Sequence, residues 1–449
     1  MPEPRAGDRR QDLGRAALRE GRGVSAVKVR PVDTRRELRT FVHLPWDIYA
    51  RSSNWVPPLV SERKRHLDRR RNPFFEHAEA EYFLAWRDGE PVGRISAHVD
   101  RRLNDFQANR WGLFGFFECE RDPSAAGALL DAAQGWLAER GRDRILGPLD
   151  FSTNHECGLL IEGHDLMPQI LENWHQPYYR ELLEGQGMAK AMDLYKWEIM
   201  ERERDRVLPI IEELAERLEP EHGIRLRPMR KRNLRAEVRA FMEVYNQAWS
   251  SNWGFVPLTD HELDHMAGEL KPILDEDFAC VAETTDGTLA GVSLSLPDYN
   301  QVLAKLNGRL LPFGWLTALR TRRRIDEIRV LALGVKPEFQ HTGVAAALYR
   351  DVWDACHRRG IARAETGWTW RPTSRLTVRW RRSPGGSPSA IASMSGCSRR
   401  TPWRRSPSPA APSLALTCRG LSPRRLRAMH CSQGDLDRAR FNDSRRKDT

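Results

Sequence analysis

The stretch Ile328–Leu348, IRVLALGVKPEFQHTGVAAAL, decides the fold of this chain of 449 residues. It opens with an apolar, β-branched run that ends at Lys336-Pro337, because proline cannot continue the hydrogen-bond ladder of a sheet. A short loop with Gly343 follows, and small and apolar residues at helical spacing then continue to Arg359. The stretch therefore predicts a buried strand, a tight loop and a helix.

The loop that opens this helix has the features of an anion site. The first turn of a helix presents N–H groups without intrahelical partners at the positive end of the helix dipole. Gly343 and Ala345 have little or no side chain, so a pyrophosphate can approach the backbone closely. The alternative interpretation is an ordinary strand–helix connection that happens to contain a glycine.

Gln340, Gly343 and Ala345 also fill the signature Gln/Arg-x-x-Gly-x-Gly/Ala, directly after a buried strand that ends in Val-x-Pro. In this the chain resembles the GNAT N-acetyltransferase superfamily. The resemblance implies an α/β fold with a mixed (α+β) sheet and acetyl-CoA as co-substrate, its pantetheine arm on the strand and its pyrophosphate on the loop. The residues that the resemblance assigns to acetyl-CoA are Leu333, Val335, Gln340, His341, Thr342, Gly343, Val344 and Ala345.

An internal repeat divides the chain. Ser52-Ser53-Asn54-Trp55 returns as Ser250-Ser251-Asn252-Trp253, and the turn at Asp88-Gly89 returns at Asp286-Gly287 with the same spacing. Each motif follows a strand and a helix or lies within a predicted hairpin. A repeat of this length is too long for a solenoid and predicts two copies of one domain.

The two copies differ at the loop. In the first copy the strand Trp111–Glu118 and the helix Ala125–Arg140 are joined without the signature, and Asp122 would repel a phosphate. We therefore predict a degenerate first copy and a second copy that binds acetyl-CoA. The predicted domains are a mobile leader (1–24), the degenerate GNAT-like domain (25–202), a linker helix (203–222), the acetyl-CoA-binding domain (223–368), incomplete at its C-terminal end, and a tail (369–449).

The tail differs from the rest in charge. No Asp or Glu occurs between Thr366 and Gly434, while the chain before Thr366 carries 54 Lys and Arg against 57 Asp and Glu. The tail is therefore predicted to be disordered and basic, rich in Arg, Ser and Pro. A second interpretation is a frameshift. With freely chosen synonymous codons and a shift of two nucleotides, Thr369–Gly386 can be read as LETNIPANRAVEALAGR, a helix with the Asn that the GNAT pattern lacks here, and residues 387–396 can yield an aromatic-containing strand.

The resemblance implies direct attack of an amine on the thioester of acetyl-CoA. Glu327, at the start of the strand, is the predicted base, with Glu283 and Glu365 as rivals. The acceptor is expected to be an amine of a small molecule or a peptide, and the sequence does not identify it. Two alternatives are a non-catalytic GNAT-fold binding module and a protein that binds nucleic acid through its basic tail.

Composition narrows the class of protein further. The near-neutral body does not indicate a specific nucleic-acid partner, and without an apolar run of about 18 residues no membrane partner is expected. The charged N-terminus is not a secretory signal and no C-x-x-C occurs, which favours the cytoplasm. His261-Glu262-x-x-His265 matches a zinc-protease motif, but Thr259 and Glu262 form a capping box, so no metal site is predicted. The oligomeric state stays open.

Overall fold

The computed structural model describes residues 25–200, 209–367, 369–370 and 389–396, which form two mixed sheets with helices packed on them. The strands are β1 (Lys28–Pro31), β2 (Ala78–Arg87), β3 (Glu90–Asp100), β4 (Trp111–Cys119), β5 (Arg144–Gly147), β6 (Leu159–Leu160), β7 (Ala189–Lys196), β8 (Glu198–Met200), β9 (Ile224–Pro228), β10 (Ala279–Thr284), β11 (Leu289–Pro297), β12 (Glu327–Val335), β13 (Arg363–Thr366), β14 (Thr369–Trp370) and β15 (Ser389–Gly396). The helices are α1 (Arg35–Ile48), α2 (Val60–His66), α3 (Arg101–Phe106), α4 (Pro123–Glu139), α5 (Tyr179–Gly185), α6 (Pro209–His222), α7 (Leu234–Trp249), α8 (Asp260–Leu270), α9 (Asn300–Leu306), α10 (Gly314–Thr321) and α11 (Val344–Arg359).

The two copies have the same order of elements, which confirms the predicted α/β fold with tandem domains. In each copy a hairpin, β2–β3 or β10–β11, pairs with a third antiparallel strand, β4 or β12. That strand then pairs in parallel with the strand after the next helix, β5 or β13. The parallel pair needs a long crossover, and α4 and α11 supply it.

Alanines bring each crossover helix close to its sheet. Ala125, Ala126 and Ala133 of α4 are fully buried in the core of the first copy. In the second copy Ala347 of α11 packs in one core with Ala215 of α6. The helix predicted as a linker is thus part of the core of the second copy. The described helices include none that is long and apolar enough to cross a membrane.

The copies exchange strands, which the sequence did not predict. The end of the first copy forms two strands, of which β7 lies in the first sheet and β8 in the second. The chain changes sheet at Trp197, whose N–H donates to the Thr366 hydroxyl (3.0 Å) and whose carbonyl accepts from the Thr366 N–H (2.9 Å). β8 covers the free edge of β13, an edge that would otherwise expose unpaired backbone groups.

Two strands also lie within the predicted disordered tail. β14 pairs with β7, and β15 lies between β5 and β7 in the first sheet. The tail prediction therefore does not hold at these two strands, because open strand edges of the first copy supply the partners that the tail composition does not encode. Residues 371–388 and 397–449 lie outside the described residues, and the frameshift interpretation stays a prediction.

Candidate functional site

Strand β12 is interrupted at its centre by a β-bulge. Its register with β11 pairs Ala332 with Leu294 and then Val330 with Ser295, so Leu331 is the extra residue. On its other side β12 pairs with β13 only as far as Val330. In the described part of the chain no strand pairs with residues 331–335 on that side. An extended ligand can therefore add to this half of β12, which contains the predicted residues Leu333 and Val335.

The predicted loop leads from this open edge to an uncapped helix. Gly343 is the N-cap of α11 with φ +95°, and among the described residues no side chain caps this helix start by a hydrogen bond. The Thr342 hydroxyl donates instead to the carbonyl of Phe339 (2.7 Å). Val344 is buried, whereas Ala345 is only half-buried. The structure thus brings the residues predicted for the pyrophosphate, from Gln340 to Ala345, to the end of the strand predicted for the pantetheine arm.

The corresponding helix of the first copy is capped by its own sequence. Asp122 precedes α4, and its carboxylate accepts hydrogen bonds from the N–H groups of Ser124 (2.9 Å) and Ala125 (3.3 Å). Pro123, the first residue of α4, has no N–H. A carboxylate of the protein therefore lies where a phosphate would have to bind.

In the first copy, a side chain of the protein also accepts a hydrogen bond from the backbone N–H group at the corresponding β-bulge. The register of β3 and β4 shifts around Phe116, and the N–H of Phe116 donates to the Asp150 carboxylate (2.7 Å). Burial and the charge of Glu156 raise the pKa of Asp150 to about 7. In the first copy, carboxylates of the protein thus occupy both the β-bulge and the start of the crossover helix. In the second copy both positions stay open, which favours the second copy as the site of the co-substrate.

A buried polar cluster surrounds this bulge, and sequence reasoning missed it. The Glu118 carboxylate accepts hydrogen bonds from the hydroxyls of Tyr179 (2.7 Å) and Tyr49, and Arg94 lies 3.7 Å away. Burial raises the pKa of Glu118. The available signal was a pair of opposite charges, Arg94 in β3 and Glu118 in β4, that face each other in the register of the two strands.

A cavity of about 490 Å³ lies beside that cluster, at the end of β4. Its lining includes Glu120 and Arg121 of the loop after β4, Asp47 and Arg51 at the end of α1, and Tyr178. It occupies the position in the first copy that corresponds to the predicted loop of the second. Its two carboxylates offset its two guanidinium groups, so the cavity lacks the positive excess that a pyrophosphate requires.

Glu327, the predicted base, lies at the opposite end of β12 from the loop. Its carboxylate accepts hydrogen bonds from Arg363 (2.6 Å) and Gln169 (3.2 Å). The bulge at Leu331 is four positions further along the strand, roughly 13 Å from Glu327. Of its rivals, Glu283 is paired with Arg227 (2.7 Å) in β9.

The other rival, Glu365, lies one residue before the point where β12 and β13 separate. It belongs to an ionic network between the copies that the sequence did not reveal: Lys196 of β7 contacts Glu172 and Glu365 at 2.8 Å each. Arg329 of β12 donates to the carbonyl of Ile170 (2.6 Å). All four charged residues are at most 8% exposed. Burial and the charge of Glu172 raise the pKa of Glu365 to about 8.

The residues of the zinc-protease motif have structural partners at the start of α8. Thr259 and Glu262 form the predicted capping box, with hydrogen bonds of 3.1 and 2.7 Å. His265 contacts Glu269 (3.3 Å), and His261 is paired with Glu76. Residues 25–200 and 209–367 contain no group of three or more His, Cys, Asp or Glu placed to hold a metal ion.

Glu262 has a further partner, His77 of the first copy. The His77 ring lies between Asp100 (3.0 Å) and Glu262 (3.1 Å) and so joins the two copies. Burial lowers the pKa of His77, but its hydrogen bonds with both carboxylates outweigh burial and raise the pKa from 6.5 to about 9. The charged ring therefore stabilises the folded state fully below pH 6.5, and this contribution is lost as the pH rises through 9.

We expect His77→Gln to lower the free energy of unfolding by about 2 kcal/mol at pH 6 and by far less above pH 9. Urea unfolding at a series of pH values measures both. His261→Gln is the matched control, because its exposed pair with Glu76 contributes less than about 0.5 kcal/mol. An equal loss for His77→Gln at pH 6 and pH 10 would show that shape, and not charge, matters at this position.

Comparison with known proteins gives two relatives. The chain is 39% identical over 326 residues to bacterial ceramide synthase of Caulobacter vibrioides (strain NA1000 / CB15N), an alignment that covers 70% of this chain and 82% of that protein. It is 32% identical over 347 residues to protein YghO of Escherichia coli (strain K12), covering 76% and 87%. No family model matches the chain.

Among solved structures, the fold is similar to the GCN5-related glucosamine N-acetyltransferase region of a fungal multi-domain GH3 β-N-acetylglucosaminidase. The TM-score is 0.50 at 13% identity, and the match covers 84% of this chain and 38% of that one. At this identity the likeness concerns the fold alone. The chain therefore belongs to the family that includes bacterial ceramide synthase of Caulobacter vibrioides and protein YghO, and it has a tandem GNAT (GCN5-related N-acetyltransferase) fold.

Proposed function

We propose that this chain is an acyl-CoA-dependent N-acyltransferase that acylates the primary amine of a long-chain sphingoid base, the reaction that yields a ceramide. The observation that carries the proposal is the 39% identity with bacterial ceramide synthase along 82% of that protein. The open edge of β12 and the uncapped start of α11 support it, because they are the two features that an acyl-CoA requires.

In this proposal the second copy holds the acyl-CoA. Backbone groups of Leu333 and Val335 pair with the pantetheine arm, and N–H groups from Gln340 to Ala345 bind the pyrophosphate. The bound acyl-CoA supplies an activated thioester carbonyl. Backbone N–H groups at the Leu331 bulge are then placed to stabilise negative charge that develops on the carbonyl oxygen.

The amine must lose a proton before or during its attack on the thioester. Glu327 is the predicted base, and its hydrogen bonds from Arg363 and Gln169 hold the carboxylate in one orientation. Glu365, with a pKa of about 8, lies closer to the point where the strands separate. Glu327→Gln and Glu365→Gln distinguish them, because only loss of the base removes the acidic limb of the pH profile of kcat.

The acyl chain length separates this proposal from the acetyl-CoA that the sequence predicts. We expect the purified full chain to transfer palmitoyl from palmitoyl-CoA to sphinganine with a kcat/KM at least 100-fold above that for acetyl-CoA. The reason is that each buried methylene contributes about 0.8 kcal/mol. Mass spectrometry of the lipid product measures both rates. If the chain transferred only acetyl groups, and only to soluble amines, the acetyltransferase predicted from the sequence would be favoured over this proposal. If the chain bound acyl-CoA without transferring the acyl group, the non-catalytic binding module would be favoured.

A further inference from the structure

The second copy carries an insertion that the first copy lacks. Between β11 and β12 the chain runs through 29 residues, whereas only 10 residues join β3 and β4 at the corresponding place. The insertion contains α9, a turn at Asn307-Gly308, and α10. Because the shorter connection suffices to build the same fold, the additional residues have a purpose other than closing the sheet.

Large apolar side chains protrude from this insertion into solvent. Leu311 and Phe313 are each 74% exposed, and Trp315 is 46% exposed. The described residues expose nine large apolar side chains. Six of the nine lie inside the insertion, within one stretch of ten residues. These six, which we term the apolar loop, are Leu310, Leu311, Phe313, Trp315, Leu316 and Leu319. Such a contiguous exposed group marks an interaction surface.

The charged residues between Asn300 and Ile325 all have one sign, and Asp298 and Asp326 lie at the two ends of the insertion. Residues 300–325 contain no Asp or Glu, and their basic residues are Lys305, Arg309, Arg320, Arg322, Arg323 and Arg324. Each of these six is exposed. An amphipathic helix with aromatic and aliphatic residues on one side and cations around it is the pattern of segments that lie in a membrane interface. Anionic headgroups attract clustered arginines by about 1 kcal/mol each near the surface.

The base of the insertion is fixed to the first copy, so that the apolar loop projects in a defined direction. Asn307 accepts a hydrogen bond from the Trp46 indole N–H (2.9 Å), and the carbonyl of Gly308 accepts from the N–H of Val60 (3.0 Å). Asn300 donates to the carbonyl of Pro168 (2.7 Å). Asn307 and Gly308 both have positive φ, which turns the chain outward after α9.

We propose that the apolar loop docks this protein peripherally on an anionic lipid bilayer. Leu311, Phe313 and Trp315 enter the interface, and the surrounding arginines contact the headgroups. A second copy of the chain fits this surface less well, because a symmetric contact would bring two groups of six cations together. The proposal stands on the geometry of the insertion and does not depend on the identity of the acyl acceptor.

Cosedimentation of the full chain with vesicles tests it. We expect binding to vesicles of phosphatidylglycerol and phosphatidylcholine, weaker binding in high salt, and little binding to phosphatidylcholine alone. Phe313→Ser with Trp315→Ser should reduce vesicle binding about tenfold or more, and so should Arg322→Gln with Arg323→Gln and Arg324→Gln. Phe106→Ser is the matched control, because Phe106 is 46% exposed but lies outside the insertion, and it should bind like the unmodified chain.

Two results would overturn docking on a bilayer. One is equal vesicle binding by the unmodified chain and the Phe313/Trp315 variant. The other is failure of the unmodified chain to bind vesicles, together with gel filtration that shows a dimer for the unmodified chain and a monomer for the Phe313/Trp315 variant. That result would assign the surface to contact with a second copy of the chain. Acyl transfer is assayed separately with substrates in detergent micelles. Loss of transfer there with intact vesicle binding would count against the proposed reaction and leave docking in place.

Discussion

Ala345→Glu is expected to weaken acyl-CoA binding about 100-fold while the fold stays intact. The new carboxylate would lie in the first turn of α11, where it competes with the pyrophosphate for the same N–H groups and repels it. Loss of two charge-assisted hydrogen bonds at about 1.5 kcal/mol each corresponds to this factor. A carboxylate in the first turn is favourable for the helix itself, and Ala345 is half-buried, so the longer side chain has room. Isothermal titration calorimetry with palmitoyl-CoA measures the change.

Ala345→Gln is the control, since it has the same length without the charge and should lose much less affinity. Gly343 is a poorer position for the test. A Cβ atom there would lie 2.9 Å from the carbonyl oxygen of Leu214 in α6, and φ is +95°. Any substitution of Gly343 would therefore strain the backbone and displace α6, so lost binding could not be assigned to the phosphate. Unchanged affinity of Ala345→Glu for palmitoyl-CoA would show that the co-substrate binds elsewhere, and the loop around Asp122 in the first copy would then be the next candidate.

Lys196→Met is expected to lower the free energy of unfolding by about 3–5 kcal/mol, because it leaves two buried carboxylates without their shared cation. Glu172 and Glu365 each lie 2.8 Å from the Lys196 ammonium group. Guanidinium unfolding measures the loss. Lys190→Met on the same strand is the matched control, because its side chain is 55% exposed and its pair with Asp193 contributes less than about 1 kcal/mol.

The loss in Lys196→Met should become smaller at acidic pH. Burial raises the pKa of Glu365 above its unfolded value, so the folded state binds more protons than the unfolded state between pH 4.5 and about 8. Stability therefore falls as the pH rises through this interval, and acidification removes the buried charge. A deficit that is the same at pH 5 and pH 8 would show that the network contributes through packing and not through its charges.

The sequence predicted those features of the fold that depend on local residue patterns and on the internal repeat. The strand Ile328–Val335, the helix after Gly343 and both hairpins lie within a few residues of their predicted positions. The α/β tandem fold and the resemblance to the GNAT fold are confirmed. These features follow from periodicity, proline and glycine, which act over a few residues.

Features that depend on distant partners were not predictable. Glu327 and Glu365 were both candidate bases, but nothing in their neighbourhood shows that Arg363 and Lys196 bind them. The exchange of β8 depends on an edge of β13 that is more than 160 residues away. The apolar loop was also missed, because apolar residues at helical spacing usually indicate a buried face, and exposure is decided by what the rest of the chain leaves uncovered.

The strand exchange has a consequence for synthesis on the ribosome. β8 leaves the exit tunnel before any other strand of its sheet, and β15, which completes the first sheet, leaves it after all the others. The second sheet has all its strands once β13 has been synthesised at residue 366, whereas the first sheet cannot reach its final pairing while the nascent chain is shorter than about 390 residues. The first copy therefore cannot complete its sheet before the second copy has been synthesised, which departs from the usual domain-by-domain folding of a two-domain chain during translation. Until β15 emerges, the facing edges of β5 and β7 stay open, whereas β8 is already available to pair with β13 when β13 emerges.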